Sequence, residues 1–244
     1  MKLKILGSNS SGNSYILEND NEALLIEAGI DIRLVKKELK FNLRKVAGAI
    51  ISHRHGDHAK YVKSFVDCGI QTLALEDVFA SHKADSPFVY PITPNKSYKI
   101  GNFIVTPFMV SHDVPCVGWL VKHTEIGKLL FVTDTMKLDY VFDGLTQIMI
   151  ETNYSDEIID RRLEREEITF QMYKRIIQSH MSLGTAQAIL RNHDLSQVDN
   201  IILIHLSNGS SNENQFVDTI KKATGKIVTA ADKGIEIELS KTPY

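Results

Sequence analysis

Six consecutive residues, His53-Arg54-His55-Gly56-Asp57-His58, constrain this chain more than any other segment, because they crowd three imidazoles and a carboxylate into one short turn. Imidazole nitrogen and carboxylate oxygen are ligands that borderline divalent ions such as zinc prefer, so the run reads as part of a metal site. The flanks say how it folds. Ala47 to Ser52 is an apolar run of buried-strand type, and Ala59, Tyr61, Val62, Phe65 and Val66 recur at helical spacing. His53 and His55 therefore end a strand, two apart and on one side, whereas Asp57 and His58 open a helix and point elsewhere. Two diverging ligand pairs cannot complete a coordination sphere by themselves, so the fold must bring in ligands from distant segments.

Three other apolar runs end in such ligands. Phe103 to Val110 leads into Ser111-His112-Asp113, Lys128 to Val132 into Thr133-Asp134-Thr135, and Asn200 to Ile204 into His205-Leu206-Ser207. With His53, His55, Asp57 and His58 these make seven ligands, enough for two ions that share one carboxylate. The mixed His/Asp set accepts zinc, manganese or iron; Zn2+ is expected, with Mn2+ as the alternative.

The His-x-His-x-Asp-His run, followed in order by His112, Asp134 and His205, resembles the metallo-β-lactamase fold in its phosphodiesterase branch. The resemblance spans nearly the whole chain. It implies a four-layer αββα sandwich, one α/β domain over residues 1–244, with the ligands along one edge. It also implies that His53, His55 and His112 hold one ion, that Asp57, His58 and His205 hold the other, and that Asp134 bridges the two. The antibiotic-hydrolysing branch looks different at that point, with a cysteine ligand to the second ion, so a β-lactam substrate is not expected. Leu6 to Ser14, Ser111-His112-Asp113, Glu151-Thr152-Asn153 and His205-Leu206-Ser207 are similar to the YycJ-type DNA exonucleases, with departures at Tyr154 and across Ser179-His180-Met181-Ser182-Leu183. The general layout and the Asn-rich stretch after His205 resemble the phage-borne anti-Pycsar cyclic nucleotide phosphodiesterases.

Charge bears on the substrate. A protein that follows a nucleic-acid backbone gains affinity from Lys and Arg that neutralise phosphates. Here Lys and Arg number 28 against 30 Asp and Glu, a formal net charge of -2. The one dense basic group, Lys36, Lys37, Lys40, Arg44 and Lys45, has the spacing of a solvated helix face. The balance favours a small nucleotide over nucleic acid as partner. No run reaches transmembrane length and the start alternates as a strand does, so a cytoplasmic protein of a bacterial or phage-infected cell is expected, with no membrane contact. The relatives imply a homodimer. Cys68 and Cys116, unpaired by spacing, read as packed thiols.

Strands are expected at Leu3 to Leu6, Ser14 to Leu17, Ala23 to Ile26, Gly48 to Ile51, Gln71 to Ala74, Phe103 to Met109, Val117 to Lys122 and Leu129 to Val132, with helices near Asp31 to Leu39 and Ala59 to Cys68. The later part reads as helices over Asp156 to Glu167, Phe170 to Gln178, Leu183 to Asn192 and Glu213 to Ala223. Strands return at Ile201 to Ile204, Ile227 to Ala230 and Ile235 to Leu239. Strand blocks with helices outside them suit a layered sandwich.

Two close divalent ions acidify a shared water and offset phosphoryl charge, so hydrolysis of a phosphodiester is the expected reaction, most of all in 3′,5′-cyclic mononucleotides. A YycJ-like DNA exonuclease is the alternative; a nucleotide-sequestering module and an ester or thioester hydrolase are further ones. Asp57 or Asp134 is a candidate holder of the nucleophile's remaining proton, a role that ranks below their ligand roles. His180, between two predicted helices and just before the N-cap candidate Ser182, is the candidate acid for the leaving oxygen. Glu151 ends the run Ile148 to Ile150 and is a candidate carboxylate behind a ligand histidine. Ser8 and Asn208 are candidate substrate contacts. His82, His123, His193 and Trp119 are read as structural.

Overall fold

The computed structural model describes residues 1–239. Its strands form two seven-stranded sheets laid face to face. The first contains β1 (Lys2–Asn9), β2 (Gly12–Glu18), β3 (Ala23–Ile26), β4 (Val46–Ile50), β5 (Thr72–Ala74) and β6 (Val89–Pro91). The second contains β7 (Tyr98–Ile100), β8 (Phe103–Val110), β9 (Cys116–His123), β10 (Gly127–Val132), β11 (Gln147–Glu151), β12 (Asn200–Ile204) and β13 (Ile227–Ala230). The last strand, β14 (Glu236–Glu238), returns to pair with β1 in the first sheet. The orders are β14-β1-β2-β3-β4-β5-β6 and β13-β12-β11-β10-β9-β8-β7.

Both sheets follow one plan. Pairing is antiparallel from β14 through β3 and parallel from β3 through β6. In the second sheet it is antiparallel from β7 through β10 and parallel from β10 through β13. Parallel neighbours need long crossovers, and these supply the helices. The first sheet carries α1 (Ile32–Glu38), α2 (Gly56–Ala59), α3 (Val62–Asp67) and α4 (Glu76–Ser81). The second carries α5 (Asp156–Glu164), α6 (Phe170–Ser179), α7 (Leu183–Arg191) and α8 (Glu213–Thr224).

Strand alternation sorts the core into layers. On β3, Leu24 and Ile26 face the other sheet, where they join Trp119, Phe131, Met149 and Ile202. Ala23 and Leu25 face outward onto Val35, Phe65 and Val78 of the helices. Likewise Leu129 and Phe131 of β10 face inward, whereas Leu130 and Val132 pack outward with Ile189, Phe216 and Ile220. Both faces of each sheet are therefore apolar and both are covered, which makes the four-layer αββα sandwich.

Most expected elements are present, with three local differences. The single helix expected from Ala59 to Cys68 is two, because the chain turns at Lys60 and Tyr61, where the Tyr61 amide donates to the Ala28 carbonyl. Short elements α4, β6 and β7 escaped the sequence reading because three to six residues are too few to display a period. Cys68, expected to be packed away, is half-buried at the end of α3, whereas Cys116 is buried. Trp119 is fully buried, as expected.

Candidate metal centre

The ligand candidates lie where strands end. β4 runs into Ser52 and His53, β8 into His112, β10 into Asp134, β11 ends on Glu151, and β12 runs into His205. Three turn-outs use left-handed backbone at non-glycine residues: Glu27 (φ 66°), Asp134 (φ 48°) and His205 (φ 56°). Such conformations cost on the order of 1–3 kcal/mol each and persist where surrounding contacts over-determine them. Here each one bends the chain off its strand and turns a polar side chain back over the sheet edge.

The 53–58 loop is held from both sides. The His58 carbonyl accepts from the Ala28 amide at 2.7 Å, and the Gly29 amide donates to the Asn13 carbonyl at 3.0 Å. A Cβ on Gly29 would overlap the Asp57 carbonyl, so only glycine lets these loops approach. On the outer side, His82 Nε2 lies 2.8 Å from the Arg54 carbonyl and Arg54 faces Asp77 at 3.7 Å. His82 thus has the structural role expected of it, as does His123, 3.1 Å from Glu22.

Asp134 organises the centre. Its Oδ2 lies 3.6 Å from His53 Nε2 and 3.7 Å from His112 Nε2. Its Oδ1 lies 3.4 Å from His58 Nε2 and 3.6 Å from His205 Nε2. One carboxylate therefore addresses two histidine sets, one oxygen each. His55 Nδ1 stands 3.2 Å from His112 Nε2, and Asp57 Oδ2 stands 3.2 Å from His205 Nε2. Among the described residues three groups can each offer donor atoms within 4.8 Å of one another: His53, His55, His112, Asp134; Asp57, His58, Asp134, His205; and Asp134, Glu151, His180, His205.

Several observations say that this donor set suits two cations. His53 is fully buried, its Nδ1 is 2.9 Å from the Ser52 hydroxyl, and its Nε2 has no hydrogen-bond partner although it points into the cluster. A buried polar atom left so is costly unless something positive meets its lone pair. Charge agrees. Burial opposes ionisation of Asp57, but hydrogen bonds from His205 and His58 outweigh it and hold the carboxyl well below its ordinary range. Burial also opposes charge on His58, yet Asp134 and Glu27 drive its imidazole well above the ordinary value: the carboxylates call for positive charge here. His53 and His112 are pushed down, chiefly by burial, into the neutral form that can ligate.

Behind the ligands stand groups that aim them. Glu27, fully buried, accepts from the Ser52 amide at 3.1 Å and lies 3.4 Å from His58 Nδ1. His112 Nδ1 donates to the Ser179 carbonyl at 3.0 Å. The Asn153 amide donates to the His205 carbonyl at 2.8 Å. Partners of this kind fix ring orientation and tautomer. Glu151 is fully buried and reaches His180 Nδ1 at 2.7 Å and His205 Nδ1 at 3.7 Å, while its second oxygen accepts from the Thr135 and Met181 amides. Burial lowers the His180 imidazole, but Glu151 more than offsets this and pushes it up to about 9.

A cavity of about 200 Å³ opens over the cluster, lined by Ser10, His55, Asp57, His112, Asp113, Asp134, Arg175, Ser179, His180 and His205. Ser8 is not on its wall. That residue is buried, and its hydroxyl accepts from the His205 amide at 2.9 Å and shares a proton with the Tyr15 hydroxyl at 2.7 Å. It supports a ligand from behind, because the β1 to β2 turn projects Ser10 forward instead. Asn208 is exposed and also off the wall. Sequence reasoning missed Glu27, Asp113 and Arg175. Asp113 Oδ1 lies 3.1 Å from His112 Nε2 and 3.4 Å from His55 Nε2, and its place beside a ligand histidine was a usable signal. Glu27, ending a buried strand, carried the same signal that drew attention to Glu151. Nothing local marked Arg175.

Comparison with known proteins agrees. Residues 7–138 match the Metallo-beta-lactamase superfamily. The chain is 25% identical over 224 residues to a protein named Exodeoxyribonuclease YycJ from Bacillus anthracis, covering 85% of this chain and 83% of that one. It is 26% identical over 258 aligned residues to Exodeoxyribonuclease WalJ of Streptococcus pneumoniae serotype 2, covering 97% and 91%. Among solved structures, the metallo-beta-lactamase fold protein YhfI from Bacillus subtilis aligns with a TM-score of 0.74 at 16% identity, covering 97% and 98%. A diphosphatase from the PhnP family aligns at 0.71 and 13% identity, covering 97% of each chain. Those likenesses speak for the fold, whereas the match over residues 7–138, more than half of the chain, speaks for descent. Together with two histidine sets around one shared aspartate, it establishes that the chain belongs to the metallo-β-lactamase superfamily.

Proposed function

We propose that the protein is a two-metal phosphodiesterase that removes nucleotides from the end of a DNA strand. The observation that carries this reading is one cavity walled by members of both ligand groups and by His180. His53, His55, His112 and Asp134 would hold one divalent ion, and Asp57, His58, Asp134 and His205 the other. Bound there, such ions supply Lewis acidity, which offsets phosphoryl charge and acidifies water. The other tasks fall to the protein. His180, held by the Glu151 carboxylate 2.7 Å away, keeps a proton and gives it to the departing deoxyribose oxygen. Asp57, whose carboxyl stays ionised, orients the attacking water by accepting a hydrogen bond; a group held so far below its ordinary range takes a proton poorly. DNA is favoured as substrate by the named exodeoxyribonucleases aligned over 85% and 97% of the chain.

A second reading, hydrolysis of 3′,5′-cyclic mononucleotides, is favoured by the net charge of -2 and by the small cavity. One experiment separates the two: metal analysis of the purified chain, followed by incubation with end-labelled single- and double-stranded DNA and with a panel of cyclic mononucleotides. Release of mononucleotides from DNA alone supports the first reading. Turnover of the cyclic panel alone replaces it with the second, and no turnover of either rejects both.

A further inference from the structure

Arg175 shares the cavity wall with the metal-ligand candidates, and the metal chemistry leaves it without a task. The other arginines of the α5 to α6 hairpin meet acids: Arg161 meets Glu157 at 2.6 Å, and Arg162 and Arg165 meet Glu167 at 3.5 and 4.0 Å. Among the described residues, the Arg175 guanidinium has no ion pair and no hydrogen bond. Its neighbour on the wall, Ser179, lies one turn on along the same face of α6 and holds His112 through its carbonyl. The Arg175 side chain thus leaves α6 about 6 Å along the helix axis from Ser179, the residue that holds His112.

This placement decides what it meets. A scissile phosphate on the floor would be served by two cations and His180. An always-charged planar fork one helical turn from the residue that holds His112 suits a different anion on the same molecule. We propose that Arg175 binds the phosphate next to the scissile one and so selects substrates carrying at least two phosphates, that is, a polynucleotide rather than a cyclic mononucleotide. The inference rests on the phosphodiesterase reading and names its substrate class.

The test compares the wild type with Arg175→Gln and Arg175→Lys. The first readout is equilibrium binding of a short fluorescein-labelled oligothymidine to the metal-loaded protein, by anisotropy, as a function of KCl. Loss of one phosphate contact on a single strand reduces the slope of log K against log salt by about 0.7. Arg175→Gln is expected to show that reduction and Arg175→Lys to recover most of it. The second readout is the ratio of kcat/KM for the oligonucleotide to that for thymidylyl-thymidine, which has a single phosphate; Arg175→Gln is expected to lower it about ten-fold or more. An unchanged salt slope, an unchanged ratio, or a wild type that does not bind the oligonucleotide overturns the inference. Hydrolysis of thymidylyl-thymidine by the wild type would in that case leave the phosphodiesterase reading standing. A slope that changes as expected in a wild type that cuts no phosphodiester overturns that reading and leaves the phosphate contact.

Discussion

The Nδ1 of His180 lies 2.7 Å from Oε1 of Glu151, at the junction of α6 and α7, and the same carboxylate oxygen stands 3.7 Å from His205 Nδ1. One buried carboxylate thus stands beside both a metal-ligand candidate and the proposed proton donor, whose rings stack at 5.4 Å.

If His180 protonates the departing oxygen, its removal matters in proportion to how poorly that oxygen leaves. His180→Ala is expected to lower kcat by about 10²–10⁴-fold on substrates that release a nucleoside alkoxide, and far less on a p-nitrophenyl phosphodiester. Metal content should stay as in the wild type. Equal losses on both substrates would remove His180 from the proton-transfer role.

Asp134 faces both histidine sets, whereas His58 faces one. Asp134→Ala is therefore expected to reduce bound metal from about two ions per chain to fewer than one, and His58→Ala to spare the His53, His55, His112 group. Plasma mass spectrometry after dialysis against a weak chelator reads both, and equal stoichiometry in the two variants would refute the shared-carboxylate arrangement.

Gly29 sits where a side chain would strike the Asp57 carbonyl and crowd the Asn13 amide. Gly29→Ala must displace the turn that carries Asp57 and His58, at a cost of about 1–3 kcal/mol. A fall of several degrees in the melting temperature, together with weaker metal retention, is the expected result. A variant with wild-type melting and metal content would show that the loops have room.

Far from the site, Glu18 sits between Lys45 (2.5 Å) and Lys4 (2.9 Å). Burial pushes its carboxyl up, but the two lysines outweigh this and hold it below its ordinary value of 4.5. A depressed carboxyl stabilises the fold above the unfolded value, and that contribution fades as pH falls through the folded value. Wild-type stability in urea is therefore expected to decline below about pH 4.5 more steeply than that of Glu18→Gln. At pH 7 the variant should be weaker by about 1–3 kcal/mol, since it leaves Lys4 without its nearest acid. Parallel pH profiles would exclude the linkage.

The longer strands and helices and the seven candidate ligand positions were legible in the chain because each depends on local pattern: period-two apolar runs, helical spacing, and a His or Asp at the end of a run; the order of the layers came from the family resemblance. The Ser182 N-cap was legible from local pattern as well, and its side chain accepts from the Thr185 amide as the spacing implies. What the chain does not display is the direction of side chains at bends. Ser8 belongs to β1 and Ser10 to the turn that follows it, and the pairing of β1 with β2 turns Ser8 inward to His205 and leaves Ser10 on the cavity wall. Glu27, Asp113 and Arg175 reach the centre from three separate elements, and only the packing of the two sheets brings those elements together. The sequence by itself determined which donor atoms exist and that they must converge, since buried imidazoles and carboxylates need counter-charge. How they divide, which only the family resemblance implied beforehand, is decided physically by the tertiary structure: left-handed backbone at Asp134 and His205 turns these side chains so that one carboxylate faces two histidine sets.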